Sequence, residues 1–187
     1  PGGSEFLEAL NAATEDDELS VAFWQRWHPG GVRNSSTIWF QSPSAGSGDR
    51  GFQAHLPWGN QVLYFDTSGC CATPQTRLNG SISGFAANFD WTEWHHFALI
   101  KKGASKQIWI DGDLFLDQTS GVAPLAADWT ALVMGHSPTE PQYAFHGWVD
   151  ELALFGAALV EEQIGALAQG ESPMSLAQAL ESRPPRI

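Results

Sequence analysis

Between Gly51 and Asp66 lie the side chains best equipped to hold a ligand. Gly51-Phe52-Gln53-Ala54-His55-Leu56 and Gln61-Val62-Leu63-Tyr64-Phe65-Asp66 flank Pro57-Trp58-Gly59-Asn60, and their residues alternate with the period of a strand. Pairing Leu56 with Gln61 sets Ala54 against Leu63 and Phe52 against Phe65, which makes an apolar face. The opposite face then carries Gln53, His55, Tyr64 and Asp66, with Val62 among them, and Trp58 stands at the tip. Asp, Gln and His exchange hydrogen bonds with hydroxyl groups, and an indole or phenol ring packs against the C–H face of a sugar, so the set suits a saccharide. The plainer reading is a solvated outer face with Trp58 folded back on the body of the domain, since such faces are ordinary in antiparallel sheets.

Two further features carry potential chemistry. Cys70 and Cys71, the only cysteines, are adjacent in the loop after this hairpin. They admit a strained vicinal disulfide, two free thiols or pairing between molecules, and the first requires an oxidising compartment. Asp150 alternates with Trp148, Leu152 and Leu154, so it is expected to share a face with bulky apolar groups. A carboxylate there needs a cation, an arginine or backbone N–H groups.

Signs of catalysis are few. Asp150 and Glu151 are expected on opposite faces of one strand, unable to flank a single bond, and the adjacent His95 and His96 likewise diverge. No Gly-x-Ser-x-Gly turn is present, and Ser47 belongs to a loop. Tyr64 with His55 is the one pair that could serve a polysaccharide lyase, on cross-strand proximity alone.

These residues need a scaffold of short strands. Strands are expected near 19–27, 37–41, 51–56, 61–66, 95–101, 106–110, 113–118, 130–135 and 145–155, punctuated by Gly, Pro, Ser and Asn clusters. Many short strands with turns between them point to an all-β sandwich. A short helix is expected at 5–13, another at 160–169 closed by Gly170, and a weaker one at 175–181 before a linker-like Arg183-Pro184-Pro185-Arg186. The 187 residues suffice for one cored domain, placed at 1–170 with a helical or linker tail over 171–187. Nine Trp and eleven Phe must be buried or displayed. A net charge of −12 speaks against a nucleic-acid backbone as ligand, and no apolar stretch is long enough to insert in a membrane as a helix. With Pro1 first, the chain reads as a piece of a larger protein.

Two segments carry a family likeness. Trp94-His95-His96-Phe97-Ala98-Leu99-Ile100 leads to Gln107-Ile108-Trp109-Ile110-Asp111-Gly112-Asp113-Leu114-Phe115, and Gly147-Trp148-Val149-Asp150-Glu151-Leu152-Ala153-Leu154-Phe155 follows. In order and spacing they resemble the laminin-G-like domains of the concanavalin A-like lectin/glucanase superfamily, over most of 18–170. The stretch from Arg50 to Cys71 resembles a subgroup from bacterial surface and secreted proteins. The resemblance implies an antiparallel two-sheet jelly roll with short terminal helices. It also implies a structural Ca²⁺ held by Asp150, with Asp17 and its acidic neighbours supplying further oxygens. The glycosidases of this fold carry Glu-x-Asp-x-x-Glu on one strand; here Glu15-Asp16-Asp17 is followed by Ser20 where the second Glu would stand. The expected function is therefore a non-catalytic carbohydrate-binding module of a secreted or cell-surface protein, extracellular or periplasmic, binding a glycan or polysaccharide through Gln53, His55, Trp58, Tyr64 and Asp66. The alternatives are an adhesive or spacer module contacting proteins or other domains of its parent, and a divergent lyase or hydrolase.

Overall fold

The computed structural model describes residues 3–126, 128–138 and 141–181. Ten strands form two five-stranded antiparallel sheets. They are β1 (Glu18–Trp27), β2 (Ile38–Gln41), β3 (Arg50–His55), β4 (Val62–Thr67), β5 (Arg77–Ser81), β6 (His95–Lys102), β7 (Ser105–Ile110), β8 (Asp113–Gln118), β9 (Ala131–Met134) and β10 (Gly147–Phe155). The front sheet has the order β5-β4-β3-β2-β9 and the back sheet β10-β1-β6-β7-β8. Every expected strand forms. The addition is β5, an edge strand with Leu78 as its one large apolar residue, which alternation alone does not reveal.

The core lies between the sheets. Phe52, Ala54, Leu63 and Phe65 from the front meet Leu19, Val21, Phe23, Phe97, Leu99, Ile108 and Ile110 from the back, all buried. This sandwich is the solution for strands whose apolar faces must leave water. A polar knot crosses the core: Gln25 Nε2 and Trp27 Nε1 both donate to Leu56 O, at 2.5 and 3.1 Å, and Thr37 Oγ1 donates to Gln25 Oε1 at 2.9 Å. It ties β1 to the end of β3, where the loop carrying Trp58 begins.

Helix α1 (Gly3–Ala13) packs through Leu10 on the main core, and Thr14, just after it, accepts from Trp129 Nε1. A single turn α2 (Gly46–Asp49) precedes β3. Helices α3 (Glu161–Ala168) and α4 (Pro173–Glu181) cover part of the outer back sheet, where Ala22, Ala98, Ile100, Trp109 and Phe155 pack with Ile164, Leu167 and Leu176. The expected boundary at 170 therefore divides one packed unit, because Leu176 is buried in that cluster. The linker expected at 183–186 lies outside the described residues. Among the described residues no helix is long and apolar enough to cross a membrane.

Of the register shifts among the described strands, those on β3 and β10 redirect side chains toward the two surface recesses. Between β2 and β3, Phe40 pairs with Phe52 but Gln41 pairs with Arg50, leaving Gly51 unpaired. A Cβ at Gly51 would come within 2.4 Å of the Trp129 ring and 2.7 Å of Ser42 Cβ, so only glycine fits. Between β1 and β10, Ala22 pairs with Ala153 but Trp24 pairs with Asp150, and Glu151 adopts a left-handed φ of 51°.

Candidate ligand-binding site

The β3–β4 hairpin forms with its register two residues from the expected one: Gln53 opposes Asp66, His55 opposes Tyr64, Ala54 opposes Phe65 and Phe52 opposes Thr67. The loop is longer than a two-residue turn, closed by Trp58 N donating to Val62 O and Gln61 N to Trp58 O. Because the slip is even, each residue keeps its face. Gln53, His55, Tyr64 and Asp66 do share the outer side of the front sheet.

That outer side is not open, as the sequence suggests, but largely roofed. The chain after β9 returns over it: Ser36 bridges to Ala144, its N donates to Tyr143 O, and Phe145 N donates to Gly135 O. What remains is a recess of about 260 Å³ lined by Arg50, His55, Trp58, Tyr64, Arg77 and Tyr143. Trp58 leans over it with its ring edge-on to His55 (4.4 Å) and to Tyr143 (4.9 Å). The indole thus forms a wall of the recess, neither a free tip nor part of the core.

Asp66, expected to meet a ligand, lies fully buried behind the wall. It accepts from Arg77 Nε at 2.7 Å and Nη2 at 2.5 Å, and Arg50 Nη1 stands 3.4 Å away. The two guanidiniums in turn lie over rings, Arg77 over Tyr64 at 4.6 Å and Arg50 over Trp39 at 4.7 Å. The hydrogen bond to Asp66 holds Arg77 above its ordinary pKa. Asp66 therefore positions the arginines, and they are the groups that reach the recess.

Gln53 is also fully buried. Its Nε2 lies 2.9 Å from His55 Nε2 and 3.3 Å from Ser36 Oγ. His55 Nδ1 donates to Ser35 O at 2.6 Å. Both ring nitrogens are engaged within the protein, and burial lowers the ring's pKa to about 4, so the imidazole facing the recess is neutral. Tyr64 keeps its hydroxyl near solvent, accepting from Asn60 Nδ2 at 3.2 Å.

Three lining residues escape the sequence reading. Arg77 belongs to the unrecognised β5, although a buried-facing Asp66 demands a countercharge and so points to some arginine. Arg50 reaches the outer side only through the Gly51 bulge. Tyr143 lies in the roofing segment, with no periodic signal.

The calcium expectation does not fit. Asp150 is exposed, not buried among apolar groups, because the bulge at Glu151 breaks the alternation: Leu152 and Leu154 turn to the core while Trp148 and Asp150 face out. Its Oδ1 accepts from Glu151 N at 2.8 Å. Asp17 precedes β1 and lies roughly 20 Å along that strand from Asp150 at the ordinary rise per residue. There Asp17 Oδ1 accepts from Lys101 Nζ at 2.7 Å and Leu125 N at 2.8 Å. The two acids are not parts of one site, and among the described residues no three His, Cys, Asp or Glu converge on a metal position. Cys70 and Cys71 are joined to each other.

The two-sheet antiparallel jelly-roll sandwich is the fold of lectin-like domains. The chain is a member of the concanavalin A-like lectin/glucanases superfamily, whose laminin-G family model matches residues 1–165. Comparison with curated proteins finds no match. Among solved structures, the chain is similar to the botulinum neurotoxin serotype D binding domain, at 14% identity and a TM-score of 0.59 over 85% of this chain and 38% of that one. It is also similar to domain 4 of AbnA, an extracellular arabinanase of Geobacillus stearothermophilus, solved with arabinotriose. That match has 19% identity and a TM-score of 0.55, over 82% of this chain and 67% of that one. A third is the binding domain of botulinum neurotoxin DC in complex with rat synaptotagmin II, at 15% identity and a TM-score of 0.53 over 82% of this chain and 36% of that one. The chain spans about 38% of the first toxin domain's length. At these identities the likeness is one of fold.

Proposed function

We propose that this domain is a non-catalytic carbohydrate-binding module of a larger secreted or cell-surface protein. The observation that carries the reading is the recess itself. Trp58, Tyr64 and Tyr143 offer ring surface to the C–H face of a sugar, and Arg50 and Arg77, anchored from behind by Asp66, offer fixed donors to its oxygens. A volume of about 260 Å³ suits one or two sugar residues. The arabinotriose complex of a domain with the same fold supports the ligand class. That both His55 nitrogens are engaged inside the protein supports binding over proton transfer. The joined Cys70 and Cys71 support an oxidising, extracytoplasmic location.

A glycan-array screen of the purified domain tests the proposal. Selective retention of one glycan class, lost in Arg77→Ala, is the expected result; a blank array would transfer the reading to a protein-binding module.

A further inference from the structure

The opposite side of the sandwich holds a second groove, of about 340 Å³, lined by Trp24, Trp94, Asp150, Glu151 and Gly170. It exists because α3 and α4 cover only part of the outer back sheet. Toward the Trp27 end of β1 the outer face of the sheet carries half-buried Trp24 and Arg26, with His96 buried against Trp24, and Trp94 and Trp148 remain 37% and 45% exposed. Isolated exposed tryptophans need no explanation, but several on one face flanking a groove do.

The chemistry of this groove is the reverse of that in the recess. In regular β10 the side chains of Asp150 and Glu151 would point to opposite faces; with the bulge and Glu151 at a φ of 51°, both residues line the groove. The C-terminal end of α3, with its partial negative charge, approaches at Gly170. The lining includes no Lys, Arg, His, Asn or Gln. Beneath Trp24 the ring of His96 is held neutral, since burial lowers its pKa to about 4, so it adds no positive charge. Arg26 lies beside this lining, its guanidinium 5.0 Å from the Trp94 ring centre and 4.5 Å from that of Trp148.

We infer that the groove between Trp24, Trp94, Asp150 and Glu151 binds an organic cation, an ammonium or guanidinium group, held by the indole faces and the two carboxylates. Aromatic surface with adjacent carboxylates is what such a cation requires, while an anion would be repelled by the two acids. The source is either a free quaternary ammonium compound or the Lys or Arg side chain of a protein partner.

The test uses the indole N–H resonances of the intact domain in ¹⁵N-correlation spectra, with Trp24 and Trp94 assigned through Trp→Phe variants. Titration with tetramethylammonium chloride and with Nα-acetyl-arginine amide should shift these two resonances saturably, the tighter probe naming the source. Neutral tert-butanol, close to tetramethylammonium in shape, should move them little. In the double variant Asp150→Asn, Glu151→Gln, which keeps side-chain shape and the acceptor for Glu151 N, affinity should fall by at least about threefold. No saturable shift with either cation overturns the inference, as does an equal response to tert-butanol or an unchanged affinity in the double variant. The unperturbed resonances of the other indoles report that each variant folds. Glycan retention through the front recess should be the same in wild type and double variant, so the two sites stand or fall separately.

Discussion

Lowering the pH from 6.5 to 4 should progressively unfold this domain, and two histidines set how steeply. His55 is 8% exposed and His96 2%. Burial lowers both rings from 6.5 to about 4, only partly opposed by the bond to Ser35 O at His55 and by the charge of Asp111 at His96. Between those values the unfolded chain binds a proton at each ring and the folded chain does not. The stability they contribute is therefore complete above about pH 6.5 and lost as the pH falls through 6 and 5 toward 4. Each displacement is worth about 3 kcal/mol, and the pair about 6 kcal/mol, comparable with the whole stability of an ordinary domain. His95 acts outside this window. Burial lowers its pKa, but the hydrogen bond and charge of Asp111 with the Asp90 carbonyl raise it further than burial lowers it, so its contribution is lost only as the pH rises above 6.5. Urea unfolding at half-unit steps from pH 4 to 8 measures the effect, since the slope of stability against pH counts protons taken up. Two protons give about 2.7 kcal/mol per pH unit near pH 5, and His55→Gln or His96→Gln should halve the slope. A slope below that of one proton, or one that neither substitution changes, would refute the burial argument.

Two further predictions follow from buried charge. Asp66→Asn removes the partner of Arg77 and Arg50, and should cost about 3 kcal/mol, lowering Tm by roughly 6–12 °C and abolishing glycan retention; an unchanged Tm in differential scanning calorimetry would show that the cluster is not held by charge. Asp17→Asn leaves fully buried Lys101 with the carbonyl of Gly103 as a partner but no countercharge, and should destabilise by a comparable amount whether measured in calcium or in EDTA. A loss seen only in calcium would restore Asp17 as a metal ligand.

The fold was largely legible because its rule is local. Period-two alternation assigned Phe52, Ala54, Leu63 and Phe65 to the core and their neighbours outward, and that assignment survived a register error because the error was even. The site was legible only where the same rule held. Arg50 and Glu151 reach their positions through bulges, where one extra residue reverses the alternation, and the close packing that forces Gly51 involves Trp129, far away in sequence. Arg77 lies on an edge strand whose composition, Arg-Leu-Asn-Gly-Ser, carries little strand signal. The recess wall that Tyr143 forms beside Trp58 depends on where the segment after β9 returns, a tertiary fact with no periodicity. The reading of Asp150 assumed an unbroken β10, and the calcium expectation also set Asp17 beside Asp150, although the two lie well apart along β1.

In the proposed binding mode the front recess holds a glycan against Trp58. Calorimetric titration of wild type and Trp58→Ala with the glycan selected on the array tests it most directly. A binding loss of about 1–3 kcal/mol is expected in the variant with Tm nearly unchanged, since the indole is a half-buried wall of the recess and not part of the core. Equal affinity in the two proteins would contradict it, because the glycan would then be bound elsewhere.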